Sequence, residues 1–514
     1  MTPAPAAPAP RSLFQRFLAH VERAGNALPH PATLFVGLAA LVVFLSWALH
    51  TAGVSVTNPA TGKVVNVVNL LSVEGGQRML NEAAKNFLGY PPLGISLMCL
   101  LGLGIAEVSG LIGACLRLFV LAAPRKLITP MVVFAGVMSN AGSEVGYVML
   151  TPLAAALYHT IGRHPVLGLA AAFAGVSGGY SANLLLGSVD ALLAGLTQAA
   201  AHIIDPKYAV AATANYYFMF VSTFVLTAAG TWVTEKIVAP RLGAYAGDAK
   251  REPLTALDAR ERRGLWAAAL TTLALTAVVL WGVLPEKGFL IDPKDGAFAK
   301  SAFMQGLVTF IFLFGLLPGL AYGFAAGTFK NDHDVMDGMT ATMKSMGSFI
   351  VLAFFAAQFI SYFNWTNLGV ITAVKGAQAI QHLNLQNQPI LLMVALVLFA
   401  SVVNILISSA SAKWALLAPV FVPMFMLLGY SPELVQGAFR VGDSCTNIIT
   451  PLMSYFPLIL TFVHRYEPKA GIGTLIATML PYSIVFLIVW TLLLIAWIAA
   501  GWPMGPGAPL FLAK

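Results

Sequence analysis

From Pro31 to Trp502 the chain alternates between long apolar blocks and short polar breaks. A helix needs about 20 mainly apolar residues to cross roughly 30 Å of hydrocarbon. That length rule predicts nine spans, at about 32–50, 93–122, 165–199, 212–237, 264–284, 303–328, 343–370, 432–462 and 472–500. Two further apolar stretches, about 127–160 and 389–429, are interrupted near their middles by small polar residues. These read as re-entrant hairpins that enter and leave on one side.

The two interrupted stretches resemble each other. The first carries Ser139-Asn140-Ala141-Gly142-Ser143-Glu144 and then Pro152; the second carries Ser408-Ser409-Ala410-Ser411-Ala412-Lys413-Trp414 and then Pro419. Each is followed by a long span broken by small residues, over Gly175–Asn183 in the first case and Gly442–Pro451 in the second. Glycine weakens a helix and proline removes a backbone donor. Such breaks survive at membrane depth only where protein or water satisfies the freed backbone groups. With the hairpins re-entrant, the two units begin on opposite sides, so the repeat is inverted. Inverted repeats with paired broken helices point to a transport site near the bilayer midplane. The bland reading, in which Gly and Ser only allow close helix packing, accounts for one such segment better than for four in matching order.

Composition strengthens the membrane reading. The chain is 58% hydrophobic and 10% charged, against about 25% charged for a typical soluble domain. The expected fold class is therefore an all-α polytopic membrane protein with nine spans, two re-entrant hairpins and two broken helices. In that topology roughly two thirds of the loop lysines and arginines fall on the side of the N-terminus, which makes that side cytoplasmic. The organisation follows: a cytoplasmic segment 1–30, a first half 31–240, a cytoplasmic linker 241–263, a second half 264–502 and a periplasmic tail 503–514. Residues 1–30 carry Arg11, Arg16 and Arg23 with no Ala-x-Ala cleavage signature after the first span, so that span reads as a retained anchor. The net charge of +8 sorts by loop and is no nucleic-acid signal. Cys99, Cys115 and Cys445 all lie in apolar segments without metal spacing.

Charged groups inside spans are costly and mark function by default. Asp443 has Arg440 at i−3 and Asn447 at i+4, which places all three on one helix face. A structural Arg440–Asp443 pair and a shared binding role both fit that spacing. Asp190 follows the first break with no basic residue in register, as a proton or cation relay would; a carboxylate near the end of its span, reaching water, is the alternative. Asn140 and Asn404 flank the hairpin tips, where their amides offer oxygens to a cation or donors to a carboxylate. The half-helix starting near Ser411 directs free N–H groups at the tip, an arrangement that favours an anion. Trp414 offers an aromatic face, or is simply core. Glu107 is a further acid inside a span, while Glu144 and Lys413, just past the tips, could be solvated.

The stretches SNAGSEVGYVMLTPLAAALY, GRHPVLGLAAAFAGVSGGYSANLLLGSVDALLAGLTQ, GDSCTNIITPLMSYFPLIL and GIGTLIATMLPYSI resemble the p-aminobenzoyl-glutamate transporter (AbgT) family over nearly the whole chain. The resemblance implies a bacterial inner-membrane homodimer surrounded by lipid. It implies a bowl-shaped aqueous cavity and secondary transport of p-aminobenzoyl-glutamate or p-aminobenzoate, with export of sulfonamide antimetabolites by some members. It carries a transport role onto Asp190, Asn404, Ser411, Trp414, Pro432, Arg440 and Asp443, and a Na+ role onto Asn140, Asn404, Asp443 and Asn447. It implies no cofactor apart from a Na+ ion, and coupling to H+ or Na+. Gly142-Ser143-Glu144 departs from the Ala-Ser-Asp expected there. A channel with a polar constriction is the competing class. An enzyme is not expected, since the histidines form no His-Glu-x-x-His set and no Gly-x-Ser-x-Gly or phosphate-binding loop occurs.

Overall fold

In a computed structural model, residues 29–57, 62–141, 145–249, 257–285, 288–291 and 301–512 are described. The N-terminal arginine-bearing segment, the Gly142–Glu144 tip, and parts of the 241–263 linker and the 285–302 loop lie outside them.

Helices dominate. Helix α1 (Pro31–Thr51) is followed by a small antiparallel pair, β1 (Ser55–Thr57) and β2 (Val64–Asn66), in register Val56 to Val65. An amphipathic helix α2 (Val73–Leu88) leads into α3 (Pro91–Val108). The predicted span 93–122 is not continuous. It ends at Ser109, and Gly110 takes φ 90°, a left-handed value that glycine adopts without a Cβ penalty. Helix α4 (Leu111–Leu121) then begins.

The first hairpin starts with a 116° turn after α4. Its first arm, α5 (Ile128–Ser139), has 12 residues, about 18 Å at 1.5 Å per residue and too short to cross. The chain returns through a widened turn at Gly146–Leu150 and α6 (Thr151–Thr160). The first broken span follows as α7 (Pro165–Phe173), a widened turn at Ala174–Gly178, a non-helical stretch to Gly187, and α8 (Ser188–Ala201).

Helix α9 (Tyr216–Val233), continued by a widened turn to Leu242, closes the first half. The second half holds α10 (Ala259–Val283), α11 (Leu307–Ala326), α12 (Asp332–Ser345), α13 (Gly347–Trp365) and α14 (Leu368–His382). Its hairpin is α15 (Pro389–Leu406) and α16 (Ala410–Leu427), joined at an extended Ile407. Its broken span is α17 (Pro432–Asn447), a non-helical Ile448–Tyr455 and α18 (Phe456–His464). Helix α19 (Ile472–Ala500) completes the bundle.

Nine helices among the described residues are long and apolar enough to cross a membrane, and both arms of the second hairpin are among them. Length alone therefore does not mark α15 and α16 as re-entrant. What marks them is the tip between them, which opens on the same interior cavity as the first hairpin. The other seven long helices, with the two broken spans, equal in number the nine crossings expected from the sequence.

The second break starts later than the sequence suggests. Gly442 stays helical, because its role is close approach: a Cβ there would fall 2.2 Å from the Val397 carbonyl oxygen of α15. Gly175 does the same job in the first repeat, where a Cβ would fall 2.3 Å from the Val133 oxygen of α5. In both halves the first hairpin arm lies against the broken span through a glycine. The tail after α19 is not free either: Ser431 N–H donates to the Leu510 oxygen, and Tyr430 bridges Phe511.

Candidate functional site

The first hairpin on either side of its tip, the tip of the second hairpin and both breaks converge on one cavity of about 560 Å³, within the roughly 300–1,000 Å³ usual for small-molecule sites. Asn140 and Tyr147 of the first hairpin reach its wall, as do Ser409 and Ser411 of the second. Asn447 and Tyr455 of the second broken span also line it. Two helix N-termini open on it, α8 at Ser188 and α16 at Ala410. First-turn N–H groups lack intrahelical acceptors and carry the positive end of the helix dipole, so this wall suits an anion. Glu107 also lines it, with residues of α12 and α13.

The aromatic face of the cavity is not the one expected. Tyr147 and Tyr455 stack with ring centres 4.6 Å apart and planes 5° apart, and both line the space. Trp414 is fully buried instead. It stacks on Phe439 at 4.4 Å, and its indole N–H donates to Thr197 Oγ1 at 2.8 Å. Thr197 in turn donates to Gln436 Oε1. Trp414 thus joins α16, α8 and α17 as core. Pro432 opens α17, beneath a Ser431 cap that accepts from Leu434 N–H. Fifteen residues of helix, about 22 Å, separate it from cavity-lining Asn447.

Behind the wall lie two buried ion pairs, neither of which is the one suggested by i, i+3 spacing. Arg440 Nη2 meets Asp190 Oδ1 at 2.7 Å and donates to the Ser181 carbonyl at 3.2 Å. Asp190 Oδ2 accepts from Gly187 N–H at 2.7 Å, at the start of α8. Asp190 therefore has a basic partner, supplied by the other half of the molecule. Arg440 ties both sides of the first break to α17. Ser181 N–H adds a bond to Ser444 Oγ.

The second pair joins Lys413 Nζ to Asp443 Oδ1 at 2.5 Å. Lys413, which its place just past the tip would allow to be solvated, is 0% exposed. It also donates to Asn404 Oδ1. The Asn404 amide nitrogen contacts the Asp443 carbonyl, Thr446 Oγ1 and Asn447 Oδ1. The signal that could have flagged Lys413 is an ammonium in the first turn of a membrane helix, at the positive end of its dipole. Such a charge demands a carboxylate partner.

The proposed Na+ residues meet only in part. Asn404, Asp443 and Asn447 form one cluster. Asn140 instead donates to Val137 O within its own hairpin and has a buried Oδ1 without a donor among the described residues. With Lys413 in place the cluster does not fit a Na+ ion. The ammonium already holds Asn404 Oδ1 and Asp443 Oδ1, and the Asn404 amide holds Asn447 Oδ1.

An interior polar cavity between inverted, broken repeats of a helical bundle defines a multi-pass membrane transporter. Residues 16–512 match the family described as the AbgT putative transporter family. The p-aminobenzoyl-glutamate transport protein of Escherichia coli K12 is 40% identical over 487 residues, 95% of each chain. Among solved structures, the Neisseria gonorrhoeae MtrF structure, from a class of antimetabolite efflux pumps, superposes with a TM-score of 0.91. It shares 48% identity and covers 96% of this chain and 100% of its own. The Alcanivorax borkumensis YdaH transporter gives a TM-score of 0.89 at 45% identity, covering 93% and 100%. The chain belongs to the AbgT transporter family and is not an enzyme.

Proposed function

We propose that this transporter carries p-aminobenzoyl-glutamate or p-aminobenzoate, with sulfonamide antimetabolites as alternative substrates, by secondary transport across a bacterial inner membrane. The cavity is the observation that supports this most: an aromatic wall and two helix N-termini around one space of about 560 Å³. The substrate ring lies against Tyr455. Its carboxylate takes the N–H groups at the starts of α16 and α8, beside Ser411. The arylamine donates to Asn140 Oδ1, which has no donor among the described residues. Relatives named for p-aminobenzoyl-glutamate transport and for antimetabolite efflux favour the same substrate class.

An H+ gradient drives the cycle through Asp190 and Asp443; a Na+ gradient would act through a site other than the cluster that Lys413 fills. Both pairs cross between elements that must separate for the site to open to the other side. The working unit is a homodimer with the N-terminus in the cytoplasm.

The test is radiolabelled p-aminobenzoyl-glutamate and p-aminobenzoate flux in proteoliposomes, with pH and Na+ gradients imposed independently. Uphill accumulation under one gradient is expected. Flux that only equilibrates the label under every gradient would identify a channel instead.

A further inference from the structure

We propose that Lys413 is a tethered substitute for a bound metal cation, and that its ammonium keeps Na+ out of the Asn404–Asp443–Asn447 cluster. The proposal rests on the transport reading only in treating this cluster as the coupling site. The geometry supplies the rest.

A Na+ ion at a broken helix takes hard oxygen ligands from carboxylates, amides and carbonyls. The cluster has that chemistry, with one buried carboxylate and two amide oxygens from α15 and α17. Each is committed. Lys413 Nζ lies 2.5 Å from Asp443 Oδ1 and also bonds Asn404 Oδ1. Asn404 is fixed in the orientation that presents this oxygen, because its nitrogen faces three acceptors: the Asp443 carbonyl, Thr446 Oγ1 and Asn447 Oδ1. The pair is neutral as it stands, with both side chains buried. A metal ion added beside the ammonium would bring two like charges into contact away from water, where little screening is available.

The placement of Lys413 argues against a merely solubilising role. It is buried in the first turn of α16, two residues from cavity-lining Ser411, where the helix dipole repels a cation. Arg440, three residues from Asp443 on α17, is engaged with Asp190. Lys413 therefore fixes which cation the cluster accepts. It is fixed to α16, so its charge is part of the chain and cannot leave the cluster by diffusion as a free ion would.

The experiment is equilibrium 22Na+ binding to the purified full-length protein in detergent. The variants are Lys413→Met and Lys413→Met with Asp443→Asn. Wild type is expected to show no saturable Na+ binding. Lys413→Met should gain it, approaching about one ion per chain at saturation, and the double variant should lose it again. Lys413→Met leaves Asp443 uncompensated and could be poorly folded. In that case its thermal unfolding temperature should rise with NaCl and not with N-methylglucamine chloride. Saturable Na+ binding by the wild type would overturn the proposal. So would equal binding in the single and double variants, or misfolding of Lys413→Met that Na+ does not relieve. These readouts need no transport, so their failure is distinct from failure of the substrate assignment.

Discussion

At the residue scale, the decisive feature is which charges neutralise which. Arg440 and Asp190 are both buried and 2.7 Å apart. Removing one member of such a pair strands the other, at a cost of about 3–5 kcal/mol, while replacing both costs far less. Arg440→Met or Asp190→Asn should each lower the thermal unfolding temperature in detergent. The double variant should recover most of that loss; additive losses would show that the two groups are not coupled. The aromatic residues separate in the same way. Trp414→Ala should act on stability, by about 3–5 kcal/mol for a buried aromatic. Tyr455→Ala should leave the fold intact and raise the KM for p-aminobenzoyl-glutamate. A Trp414 variant with normal stability and a raised KM would contradict that division. The pairings were not legible in the sequence. Arg440 and Asp443 share a helix face, yet each turns to a partner on another element. Asp190 lies 250 positions from Arg440, and no local pattern links residues so distant.

At the element scale, much of the architecture could be read from the chain. The Ser-rich tips and the Gly/Ser runs stand out because small polar residues are rare in apolar blocks. Both hairpins and both broken spans occur where those runs predict them. The start of the second break was misread because glycine has two uses. Gly442 permits helix contact, and the chain unwinds only after Asn447, at Ile448–Tyr455. The break of the span 93–122 at Gly110 was missed because a single positive-φ glycine barely alters an apolar run. The Tyr147–Tyr455 stack was missed because neither tyrosine departs from the membrane pattern around it. The contact between α15 and α17 gives a test at this scale. Ser401 Oγ donates to the Gly442 carbonyl, and Thr446 Oγ1 donates to the Ser401 carbonyl. Gly442→Ala would drive a methyl group against the Val397 carbonyl and part these helices. Overpacking of this kind costs about 1–3 kcal/mol. A matching fall in thermal stability is expected; an unchanged transition would show that the helices are not so closely packed.

At the scale of the whole molecule, the two halves meet face to face through their least regular parts. The tip of the second hairpin and each unwound stretch expose backbone groups that hydrocarbon cannot satisfy. They are brought together around an interior space, where those groups face protein, water or solute. The same convergence places two helix N-termini, a tyrosine stack and two neutralised ion pairs within one layer. A solute bound there would lie between the halves, the position that the proposed secondary transport requires. The account stands on the cavity being the solute site. The most direct measurement is substrate protection of a cysteine placed at Ser411, in a chain with Cys99, Cys115 and Cys445 replaced. Its reaction with a membrane-impermeant thiol reagent is followed in proteoliposomes. The account expects p-aminobenzoyl-glutamate to slow that reaction at concentrations near its KM for flux. Labelling that proceeds at the same rate with saturating substrate, in protein that still transports, would contradict it.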